Sequence, residues 1–267
     1  MAVAVITGSG NHSLPGFTIT GTETVETPFG PAEVSRGALA GAELLHLSRH
    51  GAGHARLSNH VNHRANLWAL NALGASAVIG CTVCGAVDAT LELGSLIVFD
   101  DLHFIANRLP DGALCTFWSE PGGPGRGHWI LHGSPFSAGV RAALLSAAGD
   151  SGRGARDGGA YGHVDGPRFN TPSEIASLAG AGVVAVSQTG GPETVLAGEL
   201  ELPYALLGFV TDYANEVIPG GTTPVSTLVE LMGASPAAFA DVVGRAAAQL
   251  ERQAPEPAGT MYRIGDA

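Results

Sequence analysis

The feature of this sequence that most constrains its fold is a helix pattern with a buried strand pattern close behind it. Between residues 62 and 73 apolar side chains recur at helical spacing, and Gly74 ends the pattern. Runs of apolar and β-branched residues at 77–82 and 95–100 have the composition of buried strands. A strand, a helix and a strand joined by short connections predict a layered α/β fold. The chain has the length of one such domain, so we expect a single domain over residues 1–267.

The rest of the chain continues this alternation. We expect further strands at residues 3–6, 25–31, 40–47, 183–186 and 204–211, the second of them ending in a Pro/Gly turn. We expect further helices at 136–148, 225–232 and 236–253, and helix starts at Thr171 and Glu193. The glycine-rich stretches 102–133 and 149–162 predict irregular segments.

The charged residues limit the classes of partner. With 13 basic and 24 acidic residues the net charge is −11, which disfavours nucleic acid and anionic membrane as partners. All 13 basic residues are Arg, which excludes Schiff-base chemistry and a Walker-type phosphate loop, since both need a lysine. No apolar run approaches the roughly 18 to 20 residues that cross a bilayer, and no signal peptide is visible. We expect a soluble, cytoplasmic protein.

The three cysteines predict neither a disulfide framework nor a metal site. Cys81, Cys84 and Cys115 are an odd number in a chain without an export signal. The spacing Cys81-x-x-Cys84 is that of half a zinc site, but no second pair accompanies it.

Polar residues recur where the predicted strands end. They are Ser9, Thr82, Gln188, Thr189, Thr211 and Asp212. Ligands of open α/β sheets bind at the carboxyl ends of strands, so these residues mark a candidate site. The segment 48–51, Ser-Arg-His-Gly, adds a guanidinium that can match two oxygens of an anion such as phosphate.

Each of these residues also has a purely structural interpretation when it is taken alone. An Asp that follows a strand-end Thr, such as Asp212, often forms a turn or caps a helix. Arg49 alone could form a surface ion pair, and Phe169 alone could belong to the core. The order of motifs along the whole chain is what favours a functional interpretation.

In order along the chain, these motifs are GSG, TPFG, SRHG-x-x-H, VN-x-RANLWAL, CTVCG, DGPRF, PE-x-VLA and TDY. They resemble those of the purine nucleoside phosphorylase and methylthioadenosine phosphorylase family, and the match spans nearly the whole chain. The resemblance implies a central mixed β-sheet flanked by helices and a homotrimer. It also implies phosphate-dependent cleavage of a purine nucleoside, with 5′-methylthioadenosine or a related 5′-modified adenosine as the preferred substrate. Inorganic phosphate would be a co-substrate, and no cofactor or metal is implied.

The resemblance also assigns a role to individual residues. The phosphate would be bound by Ser9, Arg49, His50, Thr82, the backbone N–H of Val83, and Thr189. Asp212 would be the general acid at N7 of the purine, and its carboxyl must be protonated for this role, which requires burial. The nucleoside would be bound by His54, Phe169, Asn170, Gln188, Thr211 and Asn215, and by Trp129 or His128 of a neighbouring subunit.

The sequence departs from the family pattern at the base site. Ala214 stands where the methylthioadenosine branch has a second carboxylate, and Asn170 stands where 6-oxopurine enzymes commonly have Glu. Since Asn both donates and accepts hydrogen bonds, the choice between 6-aminopurine and 6-oxopurine nucleosides stays open. A nucleoside hydrolase or a nucleoside-binding protein without phosphorolysis is an alternative of a different class. The retained Arg49, Thr82 and Thr189 favour use of phosphate.

Overall fold

The computed structural model describes residues 2–9, 14–123 and 125–264. Gly10 of the GSG motif and the outermost residues of the expected domain lie outside these ranges. The strands are β1 Val3–Thr7, β2 Thr18–Val25, β3 Ala32–Leu39, β4 Ala42–Ser48, β5 Ala77–Ala86, β6 Leu96–Val98, β7 Asp101–His103, β8 Gly127–Ile130, β9 Arg156–Asp157, β10 Ala160–His163, β11 Val183–Ser187, β12 Tyr204–Tyr213 and β13 Thr260–Arg263. The helices are α1 His63–Ala72, α2 Ala138–Asp150, α3 Pro172–Gly180, α4 Gly190–Glu199 and α5 Val225–Leu250.

The strands form a mixed sheet with β5 at its centre, which confirms the predicted fold class. β5 pairs in parallel with β1 and with β12. Its carboxyl end also pairs with β11, which runs antiparallel to it. On the far side of β1 lies β4, again in parallel. The carboxyl ends of β1, β4, β5 and β12 therefore meet at one edge of the sheet, while β8 and β13 form a separate two-stranded sheet.

The core strands are buried on both faces because helices cover the sheet. Every residue of β1 and nearly every residue of β12 is buried. α2 packs against α5, and α5 crosses the face of β12. Within the described ranges, no helix combines the length and the apolar character that crossing a bilayer requires.

Two helix starts are confirmed by their caps. The side chain of Asn62 accepts a hydrogen bond from the backbone N–H of Ala65 at the start of α1. Thr171 and Glu174 form a reciprocal capping box at the start of α3. The helix start predicted at Glu193 was three residues late, because α4 begins at Gly190.

The two helices predicted at 225–232 and 236–253 are one helix, α5, with Pro236 inside it. Pro has no N–H to donate to the carbonyl of Met232, one turn earlier. The Oγ of Ser235 donates to that carbonyl at 2.9 Å instead. This bond compensates for the missing backbone donor, so the helix continues through the proline.

Several predicted strand bounds were wrong. The strand expected at 25–31 ends at Val25, where β2 stops, and the segment 32–39 forms β3, which was not predicted. The strand expected at 40–47 begins at Ala42, because Ala40 and Gly41 have positive φ and form the turn before it. The segments predicted to be irregular contain β7 to β10, and β10 lies between β7 and β11 in the main sheet.

Candidate active site

A cavity of about 240 Å³ opens at the edge where the four carboxyl strand ends meet. Its lining combines the polar strand-end residues of the main sheet with apolar residues of α3 and α5. Of the residues predicted to act, it is lined by Ser9, Arg49, His50, Thr82, Val83, Phe169, Asn170, Gln188, Thr189, Thr211, Asp212 and Asn215. The fold thus brings together residues more than 200 positions apart in sequence.

One end of the cavity carries hydroxyl groups beside a helix start. Thr82 lies within 3.0 Å of the hydroxyl of Ser187, oxygen to oxygen. Thr189 is buried at the start of α4, where the positive end of the helix dipole favours an anion. His50 places Nδ1 2.8 Å from the carbonyl of Arg56. Since a carbonyl can only accept, Nδ1 carries a proton, and a neutral His50 presents Nε2 as an acceptor.

Arg49 lines this end of the cavity but is only 1% exposed. Its Nε donates to Oε1 of Glu193 at 2.7 Å, and its Nη2 donates to Oε2 at 3.0 Å. Its Nη1 donates to the carbonyl of Cys81 at 2.7 Å. Arg49 therefore forms an ion pair, but a buried one, and the edge of its guanidinium that could match two oxygens faces a carboxylate of the protein.

Asp212 lies near the end of β12 and is 9% exposed. Thr211 Oγ1 donates to its Oδ1 at 2.8 Å. Burial raises the pKa of the carboxyl above its ordinary value, and the hydrogen bond from Thr211 opposes the shift only in part. Asp212 neither caps a helix nor forms a turn, because it lies inside a strand next to a register shift between β12 and β5. The carboxyl of Asp212 therefore keeps its proton to a higher pH than the carboxyl of an exposed Asp does.

Three side-chain amides around the cavity are fixed by hydrogen bonds. Nδ2 of Asn215 donates to the backbone carbonyl of Asn170 at 2.5 Å, and Nδ2 of Asn170 donates to Glu174 at 3.1 Å. Gln188 accepts from Ser58 at 2.7 Å and donates to the carbonyl of Arg168 at 3.1 Å. These bonds define which atom of each amide is the donor.

Two of the predicted residues do not line this cavity. His54 stacks on His50, with ring centroids 4.2 Å apart and planes at 19°. Trp129 lies on β8, where its Nε1 donates to the carbonyl of Ala258 at 2.8 Å and its ring packs against Gly198. His128 beside it is exposed. A contact from Trp129 or His128 to the cavity of a neighbouring subunit stays a prediction.

Sequence reasoning missed several residues of the site. Ser187 contacts Thr82, and Ser58 contacts Gln188. A single serine in a sequence gives little indication of such a role. Glu193 was predicted only as the start of a helix, although it is the glutamate of the PE-x-VLA motif that the chain shares with the family. Leu228 and Met232 line the cavity from α5, and their spacing of four residues was a visible sign that both occupy one face of a helix.

Cys81, Cys84 and Cys115 are buried free cysteines. Burial raises the pKa of Cys81 to about 12, so its sulfur remains a protonated thiol at neutral pH. Among the described residues, no group of three His, Cys, Asp or Glu side chains is arranged to hold a metal ion.

Over most of its length the chain is similar to known proteins of one superfamily. The family model described as the phosphorylase superfamily matches residues 2–252. A probable 6-oxopurine nucleoside phosphorylase of Thermococcus kodakarensis is 35% identical over 86% of this chain and 85% of its own length. The S-methyl-5′-thioadenosine phosphorylase of Mycobacterium tuberculosis is 36% identical over 82% and 78%. A structure of methylthioadenosine phosphorylase from Schistosoma mansoni with adenine superposes with a TM-score of 0.84 and 26% identity, covering 95% and 93% of the two chains.

Proposed function

The chain belongs to the phosphorylase superfamily and is a pentosyltransferase of the nucleoside phosphorylase type, and we propose that it cleaves 5′-methylthioadenosine, or a closely related 5′-modified adenosine, with inorganic phosphate. The products are free adenine and the modified ribose 1-phosphate. The observation that carries this proposal is the position of a buried, readily protonated carboxyl, Asp212, in the same cavity as the hydroxyl groups and the helix start at Thr189.

The cavity supplies what cleavage of an N-glycosidic bond needs. As the bond between C1′ and N9 breaks, its electron pair moves to the purine and positive charge develops on the ribose. A protonated Asp212 donates its proton to N7 and so neutralises the departing base. An oxygen of phosphate forms the new bond to C1′. Ser9, Thr82 and Thr189 hold that phosphate in line, with the amino end of α4 favouring its charge.

The amide groups at the base end support a 6-aminopurine. Nδ2 of Asn215 gives one of its two N–H groups to the carbonyl of Asn170, so the amide is held in one orientation and its Oδ1 is available to accept a hydrogen bond from a ligand. An amide oxygen accepts a hydrogen bond from a 6-amino group, whereas it would repel the oxygen of a 6-oxopurine. Asn215 thereby supplies the acceptor that the chain lacks at Ala214.

The apolar wall of the cavity supports a 5′ substituent without hydroxyl groups. Leu228 and Met232 of α5 and Ile175 of α3 line it together. Burying a 5′-hydroxyl against such a wall would leave the hydroxyl without a hydrogen-bond partner, while a methylthio group fits without that cost.

A 6-oxopurine nucleoside phosphorylase is the second candidate. It is favoured by the relative from Thermococcus kodakarensis, described as a probable 6-oxopurine nucleoside phosphorylase, and by the absence of a second carboxylate at Ala214. The test is a competition among methylthioadenosine, adenosine, methylthioinosine and inosine, each with phosphate, that compares kcat/KM. The proposal predicts that methylthioadenosine is the best substrate. A preference for the two inosine compounds would replace it with the second candidate.

We also propose a homotrimer. Three large apolar side chains of the segment 105–131, Ile105, Leu114 and Leu131, are exposed on a single chain and suit burial against a second copy. Size-exclusion chromatography with light scattering should give the mass of three chains. A stable monomer would contradict this assembly.

A further inference from the structure

The buried ion pair between Arg49 and Glu193 suggests how the phosphate end of the cavity is built. Both side chains are about 1% exposed, and two hydrogen bonds of 2.7 and 3.0 Å join them. The hydroxyl of Tyr204 also donates to Oε2 of Glu193 at 3.0 Å. We propose that Glu193 is a positioning residue, which holds Arg49 so that a single N–H of Nη1 is directed at phosphate. This inference rests on the proposed phosphorolysis.

The hydrogen bonds of the guanidinium leave one donor for a ligand. Arg has five N–H groups. Nε and Nη2 donate to Glu193, Nη2 also donates to the carbonyl of Ile6 at 3.4 Å, and Nη1 donates to the carbonyl of Cys81. Within the described part of the chain this assigns four of the five. The second N–H of Nη1 is the one that remains where Arg49 lines the cavity.

Nη1 of Arg49 occupies the space where a side chain at position 8 would lie. A Cβ on Gly8 would lie 2.4 Å from Nη1, closer than the two atoms can approach. Arg49 is therefore held by the carboxylate of Glu193 and has room for Nη1 because residue 8, which follows β1, has no side chain. Small displacements of either partner move the donor that faces the phosphate.

His63 lies close to Glu193 but does not compete with Arg49 for its negative charge. Nδ1 of His63 lies 3.8 Å from Oε1 of Glu193, beyond hydrogen-bonding distance. Burial holds the pKa of His63 well below its usual value, so this imidazole is neutral at working pH. Arg49 is then the cation that balances the carboxylate, and a replacement that keeps the charge at position 193 tests geometry alone.

The decisive variant is Glu193→Asp, which keeps the charge but shortens the side chain by one methylene group and draws the guanidinium away from the cavity. The Michaelis constant for inorganic phosphate should rise roughly tenfold or more, as expected when a hydrogen bond from a charged donor is lost. The Michaelis constant for the nucleoside should stay within about twofold, because no described contact of Glu193 reaches the base site. Gly8→Ala displaces Nη1 and should raise the same constant.

Glu199→Asp is the matched control, since it shortens another buried glutamate of the same helix that does not contact Arg49. It should leave the Michaelis constant for phosphate unchanged even where it lowers the melting temperature. Binding of inorganic phosphate alone, measured by calorimetry, provides a second readout that needs no turnover.

The outcomes distinguish a failure of the positioning role of Glu193 from a failure of the proposed phosphorolysis. Wild-type affinity for phosphate in folded Glu193→Asp and Gly8→Ala proteins would overturn the positioning role and leave the proposed function standing. A wild-type protein that neither binds phosphate nor uses it would overturn both. If Glu193→Asp fails to fold, Glu193→Gln decides alone, because it keeps the length of the side chain but leaves a single oxygen to accept from Arg49: weaker phosphate binding supports the inference, and unchanged binding contradicts it.

Discussion

Thr211 Oγ1 donates a 2.8 Å hydrogen bond to Oδ1 of its neighbour Asp212. Because this bond occupies Oδ1 as an acceptor, the proton of a neutral Asp212 resides on Oδ2. Oδ2 is also the carboxyl atom next to Gly85, where a Cβ would lie 3.0 Å away. The hydrogen bond from Thr211 therefore assigns the acidic proton of Asp212 to Oδ2. The closeness of Oδ2 also explains why the facing residue, Gly85, has no side chain.

Replacing Asp212 should remove the general acid. In Asp212→Asn the side chain can still form a hydrogen bond to N7 but cannot transfer a proton, so kcat for methylthioadenosine should fall by roughly 100-fold or more. The Michaelis constant should change little. Steady-state kinetics measure both values, and an unchanged kcat would remove Asp212 from the mechanism.

The activity of the wild-type enzyme should decrease as pH rises. Burial raises the pKa of Asp212, so its carboxyl is protonated over a wider range than an exposed Asp, and the acid form is lost as pH rises through that pKa. A pH profile of kcat should show this alkaline decrease, and Asp212→Asn should lack it. A profile that is the same for both proteins would contradict the assignment.

The hydroxyl of Thr82 should contribute to binding of phosphate and not of nucleoside. Thr82→Val keeps the shape and removes the donor, so the Michaelis constant for phosphate should rise roughly tenfold. Thr24→Val, an exposed change on β2, is the matched control. An equal effect on both substrates would mean that Thr82 does not act on phosphate.

The apolar wall formed by α5 should determine preference at the 5′ position. Met232→Ser should lower the ratio of kcat/KM for methylthioadenosine over adenosine by roughly 10-fold, because the pocket loses apolar contact and gains a hydroxyl. Val229→Ser alters an exposed residue of the same helix and should keep the ratio. An unchanged ratio in Met232→Ser would place the 5′ group elsewhere.

Glu199 should make the fold less stable at neutral pH than at pH 4.5. Burial raises its pKa to about 7, while the unfolded chain ionises near 4.5. The folded state binds the proton more tightly, so its stability falls as pH rises from about 4.5 to 7 and levels off above. Glu199→Gln should remove this loss of up to about 3 kcal/mol. Unfolding by urea at pH 5 and pH 8 measures it, with the exposed Glu92→Gln as control.

Local sequence signals were sufficient for much of the fold. Helix α1 follows from the spacing of its apolar residues and from the cap at Asn62, both of which act within a few positions. β2 and β3 were harder, since nearly every residue of β2 is exposed and the strand lacks the apolar alternation that marks a buried one. Pro236 predicted a break, but α5 continues through it, and the hydroxyl of Ser235 donates to the carbonyl that the proline leaves without its backbone donor.

The site was predictable where a residue faces the cavity and not where it supports another residue. Thr82 and Asp212 stand where the apolar runs of the predicted strands end, which is a pattern that sequence shows, although β5 and β12 continue past them. The partner of Arg49 is 144 positions away in sequence, so no local pattern could reveal that Glu193 occupies the guanidinium. Such pairs arise from the packing of α4 against the sheet.

The central claim is phosphorolysis, and the most direct test is release of adenine from methylthioadenosine by the wild-type protein with and without inorganic phosphate. The account predicts release only when phosphate is present, with one equivalent of methylthioribose 1-phosphate detected by ³¹P NMR. Equal rates of release in phosphate-free buffer, with free methylthioribose as the product, would identify a hydrolase and contradict the account.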